Sequence, residues 1–228
     1  MHSHAGAWER EAANMPKISM AHDYNKGTLT AVDPDPWVQF ADWYLAAEKI
    51  LTEKMVNAMT LATVAANDQP RARIVLLKEW DEQGFIFYTN YQSAKANELE
   101  HQSSVALLFW WPELEQQIRI EGQATKVATA TSEAYFHSRP LASQIAASIS
   151  PQSQAIDSID ELRQQHQTLL KHHKGHSLET IPLPNWGGYC VTPTLFEFWQ
   201  GGPHRLHDRF EYRRDQQKSY WTIARLAP

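Results

Sequence analysis

The group of side chains best suited to chemistry lies near the C-terminus, in residues 198–209. Arg205, His207 and Arg209 occupy every second position there, and the pattern predicts a β-strand over residues 205–212 with all three on one face. Three potentially cationic groups on one face are unfavourable without an anion or acceptor beside them. The stretch therefore indicates a site for an anionic ligand, in which His207 is available as an acid, a base or a hydrogen-bond donor.

A second group lies on a predicted strand over residues 71–80. Each face of that strand carries one cation at the end of an apolar strip, because side chains alternate between the two faces. The arrangement suits a strand that runs beside a flat apolar ligand with anionic groups, and a barrel strand with solvated charged ends is the alternative. One face holds Arg73, Val75 and Leu77, and the other holds Ile74, Leu76 and Lys78.

A strand-to-helix junction over residues 88–95 is a third candidate. Tyr88 and Thr89 end a predicted strand, and Lys95 lies in the first turn of a predicted helix. Free backbone N–H groups at a helix start, with a hydroxyl and a lysine nearby, can cradle a phosphate. An ordinary capped helix is the alternative.

A fourth candidate lies on two predicted helices separated by a proline. Tyr135 and Arg139 are four residues apart and face the same way on a helix, and Ser143 follows the break at Pro140. Two hydroxyls and a guanidinium suit a phosphate dianion, and a surface helix pair is the alternative.

The elements that position these groups are mostly strands joined by short polar turns, so neighbouring strands are expected to be antiparallel. We predict a mainly β fold, an antiparallel barrel with helices packed around it. A dinucleotide-binding fold is disfavoured, because strand–helix alternation and a GxGxxG turn are both missing. The helices are predicted at residues 37–54, 93–101, 131–138, 142–149 and 156–172, and the strands at residues 59–64, 71–80, 85–89, 105–111, 117–127, 189–199, 205–212 and 219–225.

Composition and charge exclude several classes of protein. The chain has 228 residues with a formal net charge of −5, which argues against a general nucleic-acid binder. Residues 1–32 read as a mobile N-terminal arm and residues 33–228 as one domain. The single cysteine, Cys190, permits no disulfide within the chain, and we predict no metal site. Without an apolar targeting or membrane-spanning segment, the expected location is the cytoplasm.

Several strings, in this order along the chain, resemble the pyridoxamine 5′-phosphate oxidase family. The resemblance extends from about residue 33 to the C-terminus, and the HRLHDR and YFHSRP segments are specific. The matching strings are RIVLLK at 73–78, FYTN at 87–90, YFHSRP with SQI at 135–145, PLP and WGG at 182–188, EFWQGG and HRLHDR at 197–209, and RLAP at 225–228.

The resemblance implies an antiparallel, Greek-key-like split β-barrel that binds FMN and forms a homodimer, with two FMN sites at the subunit interface. By the same resemblance, Arg73, Lys95, Thr89 and Ser153 would hold the FMN phosphate, with Tyr88 beside them. The strand from Ile74 through Val75, Leu76 and Leu77 to Lys78 would run along the flavin. The remaining flavin contacts would come from Gln117, Gln152, Trp199 and Arg209.

The family's substrates imply the remaining roles. The resemblance implies oxidation of pyridoxine 5′-phosphate and pyridoxamine 5′-phosphate to pyridoxal 5′-phosphate, with O2 as acceptor and H2O2 as product. Arg205 and His207 would be catalytic and lie over the pyridine ring with Leu206. The substrate phosphate would be held by Lys78, Tyr135, Arg139 and Ser143.

Three positions depart from the family pattern. Ala94 stands where the family usually has an arginine, which removes one FMN phosphate contact. The lid segment keeps only Tyr24 of its usual pattern, and Met55 and Val56 replace a common acidic residue and proline. Two other functions stay open at this point: a module that stores flavin or vitamin B6, and a split-barrel flavin reductase with a nicotinamide donor.

Overall fold

The computed structural model describes residues 24–175, 180–214 and 220–228. Most of the predicted arm, residues 1–23, lies outside the described residues, so a boundary at residue 32 stays a prediction. Every helix in the described ranges is too short or too polar to span a bilayer. The helices are α1 (Pro36–Glu48), α2 (Glu53–Val56), α3 (Ala94–His101), α4 (Thr129–Ser138), α5 (Leu141–Ile149) and α6 (Ile159–Gly175). The strands are β1 (Ala58–Val64), β2 (Pro70–Leu76), β3 (Glu79–Asp81), β4 (Gly84–Asn90), β5 (Ser104–Trp111), β6 (Gln116–Lys126), β7 (Trp186–Gln200), β8 (Asp208–Arg214) and β9 (Trp221–Leu226).

The strands form a single sheet in which each pairing is antiparallel, which confirms the predicted fold class. The sheet runs in the order β2-β1-β5-β6-β7-β4-β3, and β8 and β9 branch from β7. The length of β7 permits this branch, because its first half pairs with β4 and its second half with β8, while β6 lies along its other side. Most predicted elements recur with their ends shifted by a few residues.

The predicted strand over residues 71–80 is interrupted, because the backbone changes its partner in the middle. β2 pairs with β1, whereas β3 pairs with β4. The N–H of Leu77 donates to the carbonyl of Asn57 at 2.8 Å. The next N–H, of Lys78, donates to the carbonyl of Ile86 at 2.9 Å. Since β2 and β3 are the two ends of the sheet, this strand joint at residues 77–78 brings those ends together and closes the sheet into a barrel.

The predicted helix over residues 37–54 is also interrupted, because α1 ends at Glu48. The N–H groups of Ile50 and Leu51 both donate to the carbonyl of Ala47, which closes the helix in a tight turn. The turn buries Leu51 in the core before α2 begins. The apolar spacing that predicted one helix continues through the turn, so the pattern does not reveal the break.

The predicted strand over residues 205–212 starts later, at the beginning of β8. Residues Pro203–Arg205 form a short 3-10 helix, and Arg205 has a φ of 63°, which a strand cannot accommodate. The prediction that Arg205, His207 and Arg209 share one strand face is therefore wrong, since only Arg209 lies on β8. The other two side chains are carried by the irregular segment before it.

Aromatic side chains fill the barrel and fix α1 against it. The ring of Phe40 on α1 is fully buried, with its centroid 4.9 Å from that of Phe85 on β4 and 5.6 Å from that of Phe109 on β5. The ring centroid of Trp80 on β3 lies 5.0 Å from that of Phe40. One helix ring thus contacts strands from both halves of the sheet, so α1 covers one opening of the barrel.

We expect Phe40→Ala to lower the free energy of unfolding by about 3–5 kcal/mol, because it leaves a cavity that the aromatic neighbours Tyr44, Trp80, Phe85 and Phe109 cannot fill. The measurement is urea unfolding at a fixed protein concentration. Leu45→Ala on the exposed side of α1 is the control and should change the value by about 1 kcal/mol or less. Equal losses in the two variants would contradict this account of the core.

Candidate active site

A cavity of about 300 Å³ opens beside the strand joint. Its walls come from the end of β2, the joint itself, the end of β4 and the helices α3 and α4. The cavity combines apolar, aromatic and cationic side chains, which suits a flat ligand that carries negative charge. It is lined by Ile74, Val75, Leu76, Lys78, Tyr88, Thr89, Lys95, Tyr135, Arg139, Gln152 and Trp186.

One end of the cavity is a cradle for an anion. The Nζ of Lys95 donates to Thr89 Oγ1 at 3.2 Å and to Gln152 Oε1 at 3.1 Å. Burial lowers the pKa of Lys95, and the nearby charge of Arg73 lowers it further. Two cations held close together in a partly buried place are unfavourable by themselves, so the cradle favours a bound anion.

The other end of the cavity is formed by Arg139. Its guanidinium lies over the ring of Trp186, 4.7 Å from the centroid, and burial lowers its pKa. The nitrogen Nη1 is buried and has no hydrogen-bond partner among the described residues. An unsatisfied buried donor on a cation is costly, and a phosphate oxygen would satisfy it.

Lys78 and Tyr135 line the same cavity as Arg139. Ser143 lines a neighbouring cavity of about 290 Å³, and that cavity also reaches Arg139, Gln152 and Trp186. The fourth predicted group therefore converges on the guanidinium from two sides.

Three stacked rings form the aromatic wall between the two cationic ends. Tyr88 and Tyr135 are nearly parallel with centroids 4.0 Å apart, and Tyr88 and Trp186 stack at 5.2 Å. The hydroxyl of Tyr88 donates to Glu79 at 3.2 Å. Burial and the Glu79 charge raise the pKa of Tyr88, so the hydroxyl stays protonated and the stack stays neutral.

The residues of the C-terminal group form a separate cluster. The ring of His207 packs against Trp199 at 4.6 Å and against Tyr24 at 5.5 Å. The N–H of Gly202 donates to His207 Nδ1 at 3.2 Å. Burial lowers the pKa of His207, and the charge of Arg205 lowers it further. His207 is therefore neutral at neutral pH, and its proton lies on Nε2, which makes that nitrogen a donor.

Arg209 lies next to this cluster and is held by a buried carboxylate. Its Nε donates to Glu197 Oε1 at 2.8 Å, and Arg119 donates to Oε2 of the same residue at 2.6 Å. Gln117 and Trp199 are directly paired across β6 and β7, and Trp199 is in turn paired with Arg209 across β7 and β8. These three side chains therefore form one row across the sheet.

The predicted site residues thus fall into two places within one chain. Ten of them line the cavity, whereas Leu77 is buried in the core and Arg73 lies behind the cradle. Ser153 follows Gln152 but does not line the cavity. Ser143 lines the neighbouring cavity. The remaining predicted residues belong to the second cluster and its surroundings: Gln117, Trp199, Arg205, Leu206, His207 and Arg209.

Sequence reasoning missed two residues of this region. Trp186 lies in a matched string but was given no role, although its ring carries Arg139 and ends the aromatic stack. Glu98 was also missed, and it is the carboxylate that binds Arg73 at 2.6 Å. Only its position three residues after Lys95, on the same helix face, could have indicated it.

Comparisons with known proteins agree on one family. Residues 46–173 match the family described as "Pyridoxamine 5'-phosphate oxidase", and residues 186–228 match "Pyridoxine 5'-phosphate oxidase C-terminal dimerisation region". The chain is 49% identical to the pyridoxine/pyridoxamine 5′-phosphate oxidase of Acaryochloris marina over 213 residues, covering 92% of this chain and 94% of that protein. It is 50% identical to pyridoxine/pyridoxamine 5′-phosphate oxidase 1 of Hydrogenovibrio crunogenus over 210 residues, covering 90% and 95%.

Two solved structures share the fold. PhzG from Burkholderia lata 383, in complex with tetrahydrophenazine-1-carboxylic acid, has a TM-score of 0.79 at 26% identity and covers 89% of this chain and 100% of its own. A pyridoxamine 5′-phosphate oxidase-related, FMN binding protein from Nostoc punctiforme has a TM-score of 0.66 at 18% identity and covers 86% and 100%. The likeness confirms the split-barrel fold.

The environment of His207 predicts its protonation state. We expect a pKa below the ordinary value of 6.5, because burial and the charge of Arg205 both oppose a second proton. Nδ1 should be unprotonated at pH 7, because it accepts from the N–H of Gly202. Imidazole 15N NMR over a pH series measures both properties.

Arg205→Gln should raise the pKa of His207 by removing that charge, whereas Arg205→Lys, which keeps the charge, should leave the pKa nearly unchanged. A proton on Nδ1 at pH 7 would contradict the tautomer assigned to His207.

Proposed function

The chain belongs to the pyridoxamine 5′-phosphate oxidase family, and we propose that it oxidises pyridoxine 5′-phosphate and pyridoxamine 5′-phosphate to pyridoxal 5′-phosphate with FMN as its cofactor. The observation that carries this proposal is the cavity at the strand joint. It has a cationic group at each end and an aromatic wall between them. Cofactor and substrate are both flat ring systems that carry a phosphate, so two separate anion sites beside one wall fit the pair.

The residues of the cradle fit the FMN phosphate. Lys95 and Thr89 would bind its oxygens directly, with Arg73 behind them, and Ser153 would assist from its place next to Gln152. The half-buried charge of Lys95 supports this assignment, because a dianion would offset the repulsion between the two cations. Gln152 would bind beside the phosphate, since its amide already contacts Lys95.

The apolar residues of β2 would lie along the flavin ring. Ile74 and Leu76 are 64% and 40% exposed, and both line the cavity. An exposed apolar strip on a rigid strand suits one face of a flat ring. Ala94 contributes no donor here, so the FMN phosphate depends more heavily on Lys95 and Arg73.

Arg139 would hold the substrate phosphate. Its Nη1 is the buried donor that lacks a partner among the described residues, and Lys78 adds a second charge to the same cavity. Tyr135 and Ser143 would donate hydroxyl hydrogen bonds. The demand for a phosphate at this end favours a phosphorylated pyridine over an unphosphorylated one.

A second copy of the chain would complete the site. Ile74 on β2 and Trp110 on β5 lie on one face of the sheet and are 64% and 42% exposed, and an exposed apolar patch on a sheet face suits a protein–protein interface. The ring of Trp110 lies 5.9 Å from that of Trp199, so the C-terminal cluster borders this same face. We therefore place the dimer interface here, with FMN between the subunits.

In that dimer, the C-terminal cluster of one subunit would lie over the cavity of its partner. Two-fold symmetry makes the exchange reciprocal, so each dimer has two equivalent sites. Trp199, Gln117 and Arg209 would contact the flavin, and Arg205, Leu206 and His207 would cover the substrate ring. This explains why the predicted site residues lie in two separate places of a single chain.

When bound, FMN would supply the acceptor for the hydride that leaves C4′ of the substrate, and O2 would take up the two electrons with two protons to give H2O2. The protein residues supply position and charge. Arg205 would orient the ring and stabilise charge near the reacting carbon. The neutral His207 would donate from Nε2, and its geometry supports this role better than that of a proton acceptor. The alcohol gives the aldehyde directly, and the amine gives an imine that water hydrolyses.

We expect the FMN-loaded protein to release equal amounts of H2O2 and pyridoxal 5′-phosphate when it is supplied with pyridoxine 5′-phosphate in air. Peroxide is measured with a coupled peroxidase and the aldehyde by its absorbance. Pyridoxine without phosphate is the matched control and should react poorly, because it leaves Arg139 unsatisfied. Tight binding of FMN and substrate without any product would contradict the oxidase and favour a storage protein.

The shared site predicts complementation between subunits. Arg139→Gln and Arg205→Gln should each be nearly inactive, because each variant damages both sites of its homodimer. Co-expression of the two should restore about a quarter of wild-type turnover, since a mixed dimer has one site with both arginines intact. Each variant expressed alone is the control, and no recovery in the mixture would contradict a site built from two subunits.

A further inference from the structure

A buried carboxylate lies behind the anion cradle. Glu98 on α3 is 4% exposed, and it lies one helical turn after Lys95. Its Oε2 accepts from the hydroxyl of Thr63 at 2.5 Å and from Nη2 of Arg73 at 2.6 Å. Its Oε1 accepts from Nη1 of Arg71 at 3.1 Å. Both carboxylate oxygens are therefore bound by cations.

The guanidinium of Arg73 is held from two sides by these contacts. Besides the bond to Glu98, its Nη1 donates to Thr63 Oγ1 and to the carbonyl of Leu61 at 3.4 Å. Leu61 and Arg73 are directly paired across β1 and β2. An arginine side chain has many rotamers. Contacts to a helix on one side and to a strand on the other restrict Arg73 to a single rotamer.

The carboxylate stays ionised and does not cancel the positive charge of the cradle. Burial opposes its ionisation, but hydrogen bonds from Thr63 and Arg73 outweigh burial and lower the pKa of Glu98. Arg71 and Arg73 together carry two positive charges against one negative charge, and Lys95 adds a third. The group as a whole is cationic, so it still attracts a phosphate.

We propose that Glu98 is a positioning residue for cofactor binding, which fixes the guanidinium of Arg73 behind the FMN phosphate. The inference rests on the proposed function, because it takes the cradle to be the FMN phosphate site. Glu98 does not touch the cofactor and acts through Arg73. The preference for FMN over the unphosphorylated flavin therefore depends on the contact between Glu98 on α3 and Arg73 on β2.

Two simpler accounts of Glu98 predict different results. If only its charge mattered, removing a carboxylate near a phosphate would strengthen FMN binding, because like charges repel. If Glu98 only stabilised the fold, its loss would weaken the binding of any flavin. Positioning predicts a third result, in which FMN binding weakens while riboflavin binding, which involves no phosphate, is unchanged.

The experiment is titration of FMN and of riboflavin with apoprotein, followed by the quenching of flavin fluorescence. We expect Glu98→Gln to weaken FMN binding about tenfold and to leave riboflavin affinity within about twofold. Glu100→Gln is the matched control, because Glu100 lies on the same helix, is exposed and pairs with Lys126. It should leave both affinities unchanged.

Arg71→Lys tests the same network at a half-exposed position, and it decides the matter if Glu98→Gln does not fold. It keeps the positive charge but lacks the planar guanidinium that holds one carboxylate oxygen, so FMN binding should weaken by about twofold to threefold with riboflavin unchanged. Unchanged or tighter FMN binding in the folded variants, or an equal loss for both flavins, would overturn the role of Glu98 alone. Equal affinity of the wild-type protein for the two flavins would instead overturn the proposed phosphate site, and this inference with it.

Discussion

The strand joint at residues 77–78 is the constraint on which the rest of this structure depends. Two consecutive N–H groups bind different neighbours, one at the end of β1 and the next on β4. This change of partner joins the two ends of the sheet, because β2 and β3 are the first and last strands in its order. The candidate site lies at the joint for the same reason, since the joint brings the end of β2 beside β4.

Charge then determines how the site is organised. Lys95 and Arg73 are crowded at one end of the cavity, and the half-buried Arg139 at the other end has a buried nitrogen, Nη1, that lacks a partner among the described residues. The positive charge at each end is unfavourable without a bound anion, so both ends favour ligands with negative groups. The stacked rings of Tyr88, Tyr135 and Trp186 form the wall between the two cationic ends of the cavity. Carboxylates such as Glu98 and Glu197 restrain the arginines without removing the positive charge.

The proposed dimer accounts for three features that a single chain does not explain. The outer face of the sheet exposes large apolar side chains, and the His207 cluster borders that face without lining the cavity of its own chain. The left-handed backbone at Arg205 is also costly, and positioning that side chain for a neighbouring subunit would account for it. Association of two copies would bury the apolar face and complete two sites together.

The sequence by itself determined most strands, most helices and the types of residues in the site, because hydrophobic spacing and turn residues act over a few neighbours. The resemblance assigned Lys95 and Arg139 to two phosphate sites, and both side chains line one cavity, while their roles stay predictions. Only the tertiary structure decided where residues 71–80 change partner and that residues 203–207 leave the strand pattern. A change of backbone partner leaves the side-chain alternation intact, so no local pattern reveals it. Glu98 was missed for a related reason, since its partners Arg71 and Arg73 lie on a strand distant in sequence.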